Sequence, residues 1–418
     1  MRMHKRTYRA RKIKDLKMAD LLNLVRGQRV VVTTDVAKTD MVSSIELWDG
    51  TSATLVKWRN PFELREFVSL VLTVGREAEE VECVQEPTGT YGDPLRVALQ
   101  KAGLPVYRVS PKHVHDLQEV YDGTPSSHDP KAARVIARVH REGMSSLWTE
   151  HSPELTTKYR RYEWFMDEQT RLRGRVEARL ARHWPEVNEL LDLDSTTLLR
   201  LFERYGGPAA MAAAEADARS LMSSTGRGLL DKGKVEAVLR SAGETVGVPV
   251  TKEEAEELQL LARESLRIKE ALRAEHQQLG AAGEGTPGIQ DMKDVVGPAT
   301  AVVIFALLGA PSGYGSAGAY IKAAGMNLRE HSSGKKKGQL AISKRGPGPV
   351  RHMLYFAVMR LIQKDPLFKA WHERKMARCS PRQGKKSIIA LARKLMGALW
   401  HVGQGVPFDS TRLFAQSS

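Results

Sequence analysis

Short runs of β-branched residues that end on an acidic residue are the feature that most restricts the fold of this chain. Val30–Thr34 ends at Asp35, and Val81–Gln85 ends at Glu86. Helical periodicity separates the later runs. Further strands are predicted at Met41–Leu47, Thr54–Trp58 and Val106–Val109. Three strands followed by alternating helices and strands predict a mixed sheet flanked by helices.

The pattern becomes helical from about residue 146. A long helix is predicted around Tyr159–Leu172, and a second runs from Lys252 to about Leu279 behind a Thr251–Glu254 capping box. Two long helices predict an antiparallel coiled-coil hairpin, with a helical insert at about 183–250 that includes a helix at 209–221. A last, mostly helical domain follows, with helices at 295–308 and 311–324 and a loosely ordered tail from residue 405.

The predicted fold class is therefore α/β plus all-α. The predicted regions are a basic arm at 1–20, an α/β domain at 21–145, a coiled-coil region at 146–284 and a helical domain at 285–418. The arm fits a nucleic-acid contact and a solvated tail equally well.

The charge balance favours a polyanionic partner. The chain has 64 Lys and Arg against 49 Asp and Glu, a formal net charge of +15. Each cation placed on a phosphate releases condensed counterions, although charge alone does not separate DNA, RNA and an acidic membrane surface. No apolar run is long enough to predict a membrane span. Two distant cysteines, Cys83 and Cys379, favour a reducing compartment, and the predicted location is the cytoplasm.

Three acidic residues are candidate metal ligands: Asp35, Glu86 and Asp129. The first two follow predicted strands, whose ends can bring distant side chains together. Gathered carboxylates stay ionised only around a cation, and Mg²⁺ prefers oxygen ligands and serves phosphoryl transfer. Each residue also has a structural interpretation. Asp35 fits a turn, Glu86 a surface position, and Asp129 the N-cap before Pro130.

The segment 329–345, rich in Gly, Ser and Lys, is the second candidate site and is predicted to be a loop. A serine in a cationic loop can reach a phosphodiester, while the cations hold the phosphate and stabilise the charge that develops. The candidate phosphate contacts are Lys335, Lys336, Lys337, Lys344, Arg345 and Arg351. A plain phosphate-gripping loop with inert serines fits the composition equally well, since no His/Asp partner has triad spacing.

Both candidate sites lie within motifs that occur in a fixed order. The N-terminal half contains TTDVAK, QEPTGTYGDPL, AGLPVYRVSP and HDPKAARVIA. The C-terminal half contains AAGMNLREHSSG, AISKRG, PVRHMLY, GKKSIIALARKLM and GVPFD. In this ordered set the chain resembles the insertion sequence 110 family of transposases, also described as bridge-RNA-guided recombinases. The resemblance covers most of the chain apart from the arm and the insert.

The resemblance implies a RuvC-like domain of RNase H fold with acidic residues in the order Asp, Glu, Asp, Asp, then a coiled coil, then a transposase domain with a catalytic serine. The first three acids fall on Asp35, Glu86 and Asp129, with Mg²⁺ as the implied metal. The serine falls on Ser333, with Ser332 as the weaker candidate. The implied reaction cleaves and rejoins donor and target DNA through a phosphoserine. A structured noncoding RNA chooses the sites, and a homo-oligomer, a dimer or tetramer, shares a composite active site.

Two departures from the family pattern affect these expectations. Ala132 stands where the fourth acid is expected. Three consequences are possible: three carboxylates and water suffice to bind the metal, Asp122 takes the place of the fourth acid, or catalytic activity is weakened. The helix-opening motif Pro-Gly-Ile-Gly is degraded at 293–297, so no DNA-gripping hairpin is expected there. The alternative functions are a catalytically weakened RNA- or DNA-binding protein and a metal-dependent junction-resolving nuclease.

Overall fold

The computed structural model describes residues 8–87, 89–123, 128–149, 152–226, 230–333, 336–378 and 384–414, and in them the N-terminal strands form one mixed sheet. The strands are β1 Arg11–Lys12, β2 Arg29–Asp35, β3 Asp40–Leu47, β4 Ser52–Arg59, β5 Glu80–Gln85, β6 Val106–Val109 and β7 Ser145–Leu147. As far as the described residues go, their order is β1-β4-β3-β2-β5-β6-β7.

The directions of the strands are those of an RNase H-type sheet. Strands β2, β5 and β6 are parallel, while β3 is antiparallel between β2 and β4. The predicted mixed sheet is thus confirmed. Residues 8–20 of the predicted arm belong to this unit, because β1 pairs with β4 and Ile13, Leu16 and Met18 pack against the core.

Helices cover both faces of the sheet. They are α1 Met18–Val25, α2 Leu64–Glu77, α3 Asp93–Lys101, α4 Pro111–Asp122 and α5 Asp129–Arg141. Helices α1, α2 and α3 pack on the face that carries Val30 and Val32, and α4 and α5 on the face that carries Val31. Side chains alternate along a strand, so odd-numbered residues of β2 point towards α5.

The chain divides into two compact units, Met1–Thr149 and Glu150–Ser418. The boundary lies close to the predicted limit at residue 145. The second unit is built on two long helices, α6 Pro153–His183 and α12 Lys252–Ala281, which pack along each other, and the Thr251–Glu254 capping box is present. The predicted long helices are confirmed.

Short helices of the predicted insert pack against the far end of this pair. They are α7 Val187–Leu190, α8 Thr196–Tyr205, α9 Pro208–Ala213, α10 Glu215–Gly226 and α11 Lys232–Gly243. The prediction of a single helix over 209–221 is wrong, because the backbone leaves helical geometry at Ala214 (φ −107°, ψ 39°). The apolar positions keep a helical period across the break, so periodicity could not reveal it.

The C-terminal part is a helical core with one hairpin. Its elements are α13 Pro287–Val296, α14 Pro298–Leu308, α15 Ala317–Ala323, β8 Leu328–Ser333, β9 Lys336–Ile342, α16 Gly348–Lys364, α17 Pro366–Ala377, α18 Gly384–Val402 and α19 Ser410–Phe414. The apolar core of this part includes Leu155 and Tyr159 from the start of α6 and Leu279 from the end of α12.

Four predictions for this part are corrected. Segment 329–345 is the β8–β9 hairpin rather than a loop, with Ile342 packed against the core. Segment 295–308 is not one helix, because Gly297 separates α13 from α14. Segment 311–324 is a 3₁₀ turn followed by α15. The tail contains α19, because Phe414 packs edge-on against Phe368 at 5.1 Å.

Along the described chain, no helix is both long and apolar enough to cross a bilayer.

Candidate active site

The first two candidate carboxylates lie side by side at one edge of the sheet. Asp35 is the last residue of β2, and Glu86 follows the last residue of the parallel neighbour β5, where Thr34 pairs with Gln85. Both point to the face covered by α5. The Thr33 hydroxyl donates to the Ala133 carbonyl at 2.6 Å and fixes the start of α5 over the end of β2. The topology therefore brings Asp129, the first residue of α5, to the same edge.

The three carboxylates influence each other electrostatically. Burial, followed by the nearby charges of Asp129 and Glu86, raises the pKa of Asp35 to about 6. In the described part of the chain, neither Asp35 nor Asp129 has an ion-pair partner. A bound divalent ion would relieve the repulsion between these neighbouring negative charges.

The side chains are not, however, gathered around a common point. Within the described residues, no group of three His, Cys, Asp or Glu side chains lies close enough to hold a metal ion. The donor set thus fits Mg²⁺ in chemical kind, while closer approach of the carboxylates to one another would be required for binding.

Asp129 is not the helix cap that its position before Pro130 suggested. The N-cap of α5 is His128, whose Nδ1 accepts a hydrogen bond from the Lys131 amide at 3.2 Å. Asp129 is the first helical residue, with an exposed side chain. Its carboxylate is therefore not needed to start the helix, which weakens the structural interpretation of this residue.

The expected fourth acidic position is apolar and closed to solvent. Ala132 lies one helical turn after Asp129 and is only 7 % exposed. Asp122, the possible substitute, forms an ion pair at 2.8 Å with the fully buried Lys131 and accepts a hydrogen bond from the Tyr8 hydroxyl at 2.6 Å. Asp122 therefore serves as the counter-ion of a buried cation, and it is not among the charges that raise the pKa of Asp35.

The candidate serine is the last residue of β8, where it pairs with Lys336 of β9. The register shifts between His331 and Ser333, so Ser332 occupies the irregular position. Gly334 and Lys335 lie outside the described residues, as do the side chains of Ser332, Ser333, Lys336 and Lys337.

The remaining candidate phosphate contacts lie at the base of this hairpin. Lys344 and Arg345 are exposed. Arg351 is half-buried in the first turn of α16 and donates to backbone carbonyls. Lys344 has a φ of 57°, a left-handed conformation that is uncommon for a residue with a side chain and persists only when neighbouring structure enforces it.

Sequence reasoning missed two parts of these sites. One is the Tyr8–Asp122–Lys131 network, because no local pattern indicates that a lysine one residue before Ala132 is buried. The other is the close contact of Gly325 with Gly346 at the hairpin base. The glycines of AAGMN and KRGPG were a usable signal, since a glycine often marks close backbone approach.

Comparison with known families gives two matches in chain order. A model for the DEDD domain of IS110 transposases, described as a transposase, matches residues 32–185. A model described as the transposase IS116/IS110/IS902 family matches residues 293–373. The first contains all three carboxylates and the second contains the β8–β9 hairpin. Together they cover more than half of the chain. No curated relative matches it.

Proposed function

This chain belongs to the IS110 family of transposases, and we propose that it cleaves and rejoins DNA through a phosphoserine formed at Ser333. Family membership makes the chain a transposase with a RuvC-like domain. The electrostatic interaction of Asp35 with Glu86 and Asp129 at one edge of the sheet is the observation that carries the proposal, because neighbouring acids are suited to hold the metal ion that serves phosphoryl transfer.

The proposed reaction conserves the phosphodiester energy. The Ser333 oxygen attacks a DNA phosphorus, the bond from phosphorus to one sugar oxygen breaks, and that oxygen leaves with a proton. The hydroxyl of another strand then attacks the phosphoserine and restores the free serine. Exposed Lys344 and Arg345, together with Lys335, Lys336 and Lys337, are proposed to hold the phosphates.

Asp35, Glu86 and Asp129 are the proposed ligands of Mg²⁺. A bound Mg²⁺ would neutralise charge on the transferring phosphate. The protein residues supply the rest. The ends of parallel strands place Asp35 and Glu86 at one edge of the sheet, and the Thr33–Ala133 hydrogen bond holds the start of α5, where Asp129 lies, over the end of β2.

Two further parts of the proposal concern partners. We propose that a structured noncoding RNA directs the protein to donor and target DNA, and that the active protein is a homo-oligomer, a dimer or tetramer, acting at the nucleoid in the cytoplasm. The supporting observations are the family membership and the net charge of +15. A structured untranslated segment between the ends of the surrounding element would support the RNA partner.

Covalent trapping tests the nucleophile. The native protein is incubated with Mg²⁺, element RNA and labelled DNA, denatured, and resolved by gel. Ser333→Ala is expected to abolish the protein–DNA adduct while DNA affinity changes less than about twofold, because a serine hydroxyl contributes little to phosphate binding. Ser332→Ala, the matched control, is expected to keep the adduct.

Adducts that persist in Ser333→Ala would overturn the serine assignment. Free cleaved ends without any adduct in the native protein would instead indicate the metal-dependent nuclease.

A second function, nucleic-acid binding with weakened catalysis, is favoured by one observation, the buried Ala132. Ala132→Asp distinguishes the two. If catalysis has weakened, the native adduct rate lies near background and Ala132→Asp raises it. If three carboxylates suffice, the native protein is active and Ala132→Asp gives little gain, since it places an extra charge at a closed position.

A further inference from the structure

The base of the β8–β9 hairpin is held by hydrogen bonds between the two chain segments that enter and leave it. The Ser343 amide donates to the Asn327 carbonyl at 2.8 Å, and the Lys344 amide donates to the Gly325 carbonyl at 2.9 Å. The side chains of Asn327 and Ser343 also bond to each other. The segments are therefore joined before the strands begin.

Two glycines let these segments touch. A Cβ at Gly346 would lie 2.4 Å from the Ala323 carbonyl oxygen and 2.5 Å from the Gly325 nitrogen. Gly325 itself has a φ of 68°, and a Cβ there would lie 2.8 Å from the Gly346 nitrogen. Contacts this short exclude any side chain, so the crossing is made by backbone alone.

Arg351 bonds to both segments at the crossing. Its Nη1 donates to the Gly346 carbonyl at 2.7 Å, to the Ala324 carbonyl at 3.2 Å and to the Pro347 carbonyl at 3.3 Å. Burial lowers the pKa of the guanidinium below its usual value. Among the residues that the structure describes, no carboxylate forms an ion pair with Arg351. The charge of the Arg351 guanidinium is therefore balanced by the dipoles of the backbone carbonyls to which it donates.

We infer that Arg351 is a positioning residue that fixes the hairpin base, and not a contact for nucleic-acid phosphate. Arg351, Gly325, Asn327, Ser343 and Gly346 form what we term the hairpin clasp. The clasp orients β8, whose last residue is Ser333, and it holds Lys344 in its left-handed conformation. The consequence for catalysis rests on the proposed function of Ser333, whereas the clasp itself does not.

The structural part is tested on the free protein by hydrogen exchange. Arg351→Met keeps the apolar stem and removes every donor. It is expected to speed exchange of the Ser343 and Lys344 amides about tenfold, while α14 keeps native protection and shows that the domain is folded. Ser343→Ala, a milder change, is expected to speed exchange of the same amides about threefold. Lys364→Gln, an exposed cation on the same helix, is the control and leaves exchange unchanged.

The binding part compares the same substitution at two neighbouring cations. Arg345→Met, at an exposed proposed phosphate contact, is expected to reduce the slope of log affinity for DNA against log salt by about 1. Arg351→Met is expected to leave that slope unchanged and to slow adduct formation at saturating DNA at least about tenfold. A slope lowered by Arg351→Met, or native exchange in both Arg351→Met and Ser343→Ala, would overturn the inference.

Failure of the clasp and failure of the proposed function are distinguishable. If the native protein forms no adduct, the proposed function fails, while the exchange result still decides whether the clasp exists. If adducts form through Ser333 but Arg351→Met forms them at the native rate, the positioning role fails alone.

Discussion

At the scale of single residues, Asp35 is held in a site that disfavours its charge. Its folded pKa of about 6 lies above the ordinary 3.8, so ionisation destabilises the folded protein as pH rises from about 4 to about 6, and the loss persists above that range. Metal-free Asp35→Asn is expected to be more stable than the native protein at pH 7.5, by at most about 3 kcal/mol, and equally stable near pH 4.

Thermal unfolding in the presence of a chelator measures this difference. Groups that do not interact with Asp35 titrate alike in both proteins, so the difference curve reports on the Asp35 site. Mg²⁺ is expected to raise the melting temperature of the native protein and not that of Asp35→Asn. A less stable Asp35→Asn at pH 7.5 without metal would show that the site does not disfavour the charge.

Asp122 gives a second prediction at this scale, because its role is to neutralise Lys131. Asp122→Asn removes the carboxylate charge that faces the buried Lys131 ammonium and is expected to cost about 3 kcal/mol of unfolding free energy. The double variant Asp122→Asn/Lys131→Met is expected to recover part of that loss. Denaturant unfolding checks both, and equal losses in the single and double variants would contradict the assignment.

At the scale of secondary-structure elements, Gly247 lets the segment that follows α11 contact the backbone at the end of α6. A Cβ at Gly247 would lie 2.1 Å from the His183 carbonyl oxygen, which is backbone and cannot rotate away. Gly247→Ala is expected to lower the unfolding free energy by more than about 2 kcal/mol. Gly243→Ala is the matched control, since its Cβ would meet nothing closer than 3.9 Å. Similar melting temperatures for the two variants would refute the steric argument.

Some elements could be predicted from the sequence and others could not, for physical reasons. The central strands and long helices were predicted because burial on one face imposes a period of 2 or 3.6 on the apolar residues. The β8–β9 hairpin was missed because its Gly, Ser and Lys content matches a loop, and what stabilises it is long-range. The Arg351 hydrogen bonds and the Gly325–Gly346 contact join segments that no local pattern connects.

The candidate site could likewise be predicted only in part. Parallel strand ends brought Asp35 and Glu86 together as the pattern predicted. The role of Asp122 could not be predicted, because it depends on Lys131 being buried, and a lysine in a sequence is ordinarily read as exposed.

At the scale of the whole molecule, the carboxylates and the serine lie in different compact units of the chain. We expect an active site to take its carboxylates from one subunit and its serine from another. Asp35→Asn and Ser333→Ala chains, each inactive alone, are co-expressed with different tags. With random pairing, half of the sites receive intact carboxylates and half of those an intact serine, so about a quarter of the native adduct is expected, whatever the size of the oligomer.

The tags identify the chain to which the DNA is covalently attached. Every adduct is expected on the Asp35→Asn chain, because that chain alone retains Ser333. Native protein co-expressed with the double variant Asp35→Asn/Ser333→Ala is the control. A site shared between subunits gives about a quarter of the native adduct in this mixture, whereas a site within one subunit gives about a half. If the first mixture forms no adduct and the control forms about half of the native amount, each chain builds its own site. The oligomer would then serve only to bring two DNA strands together.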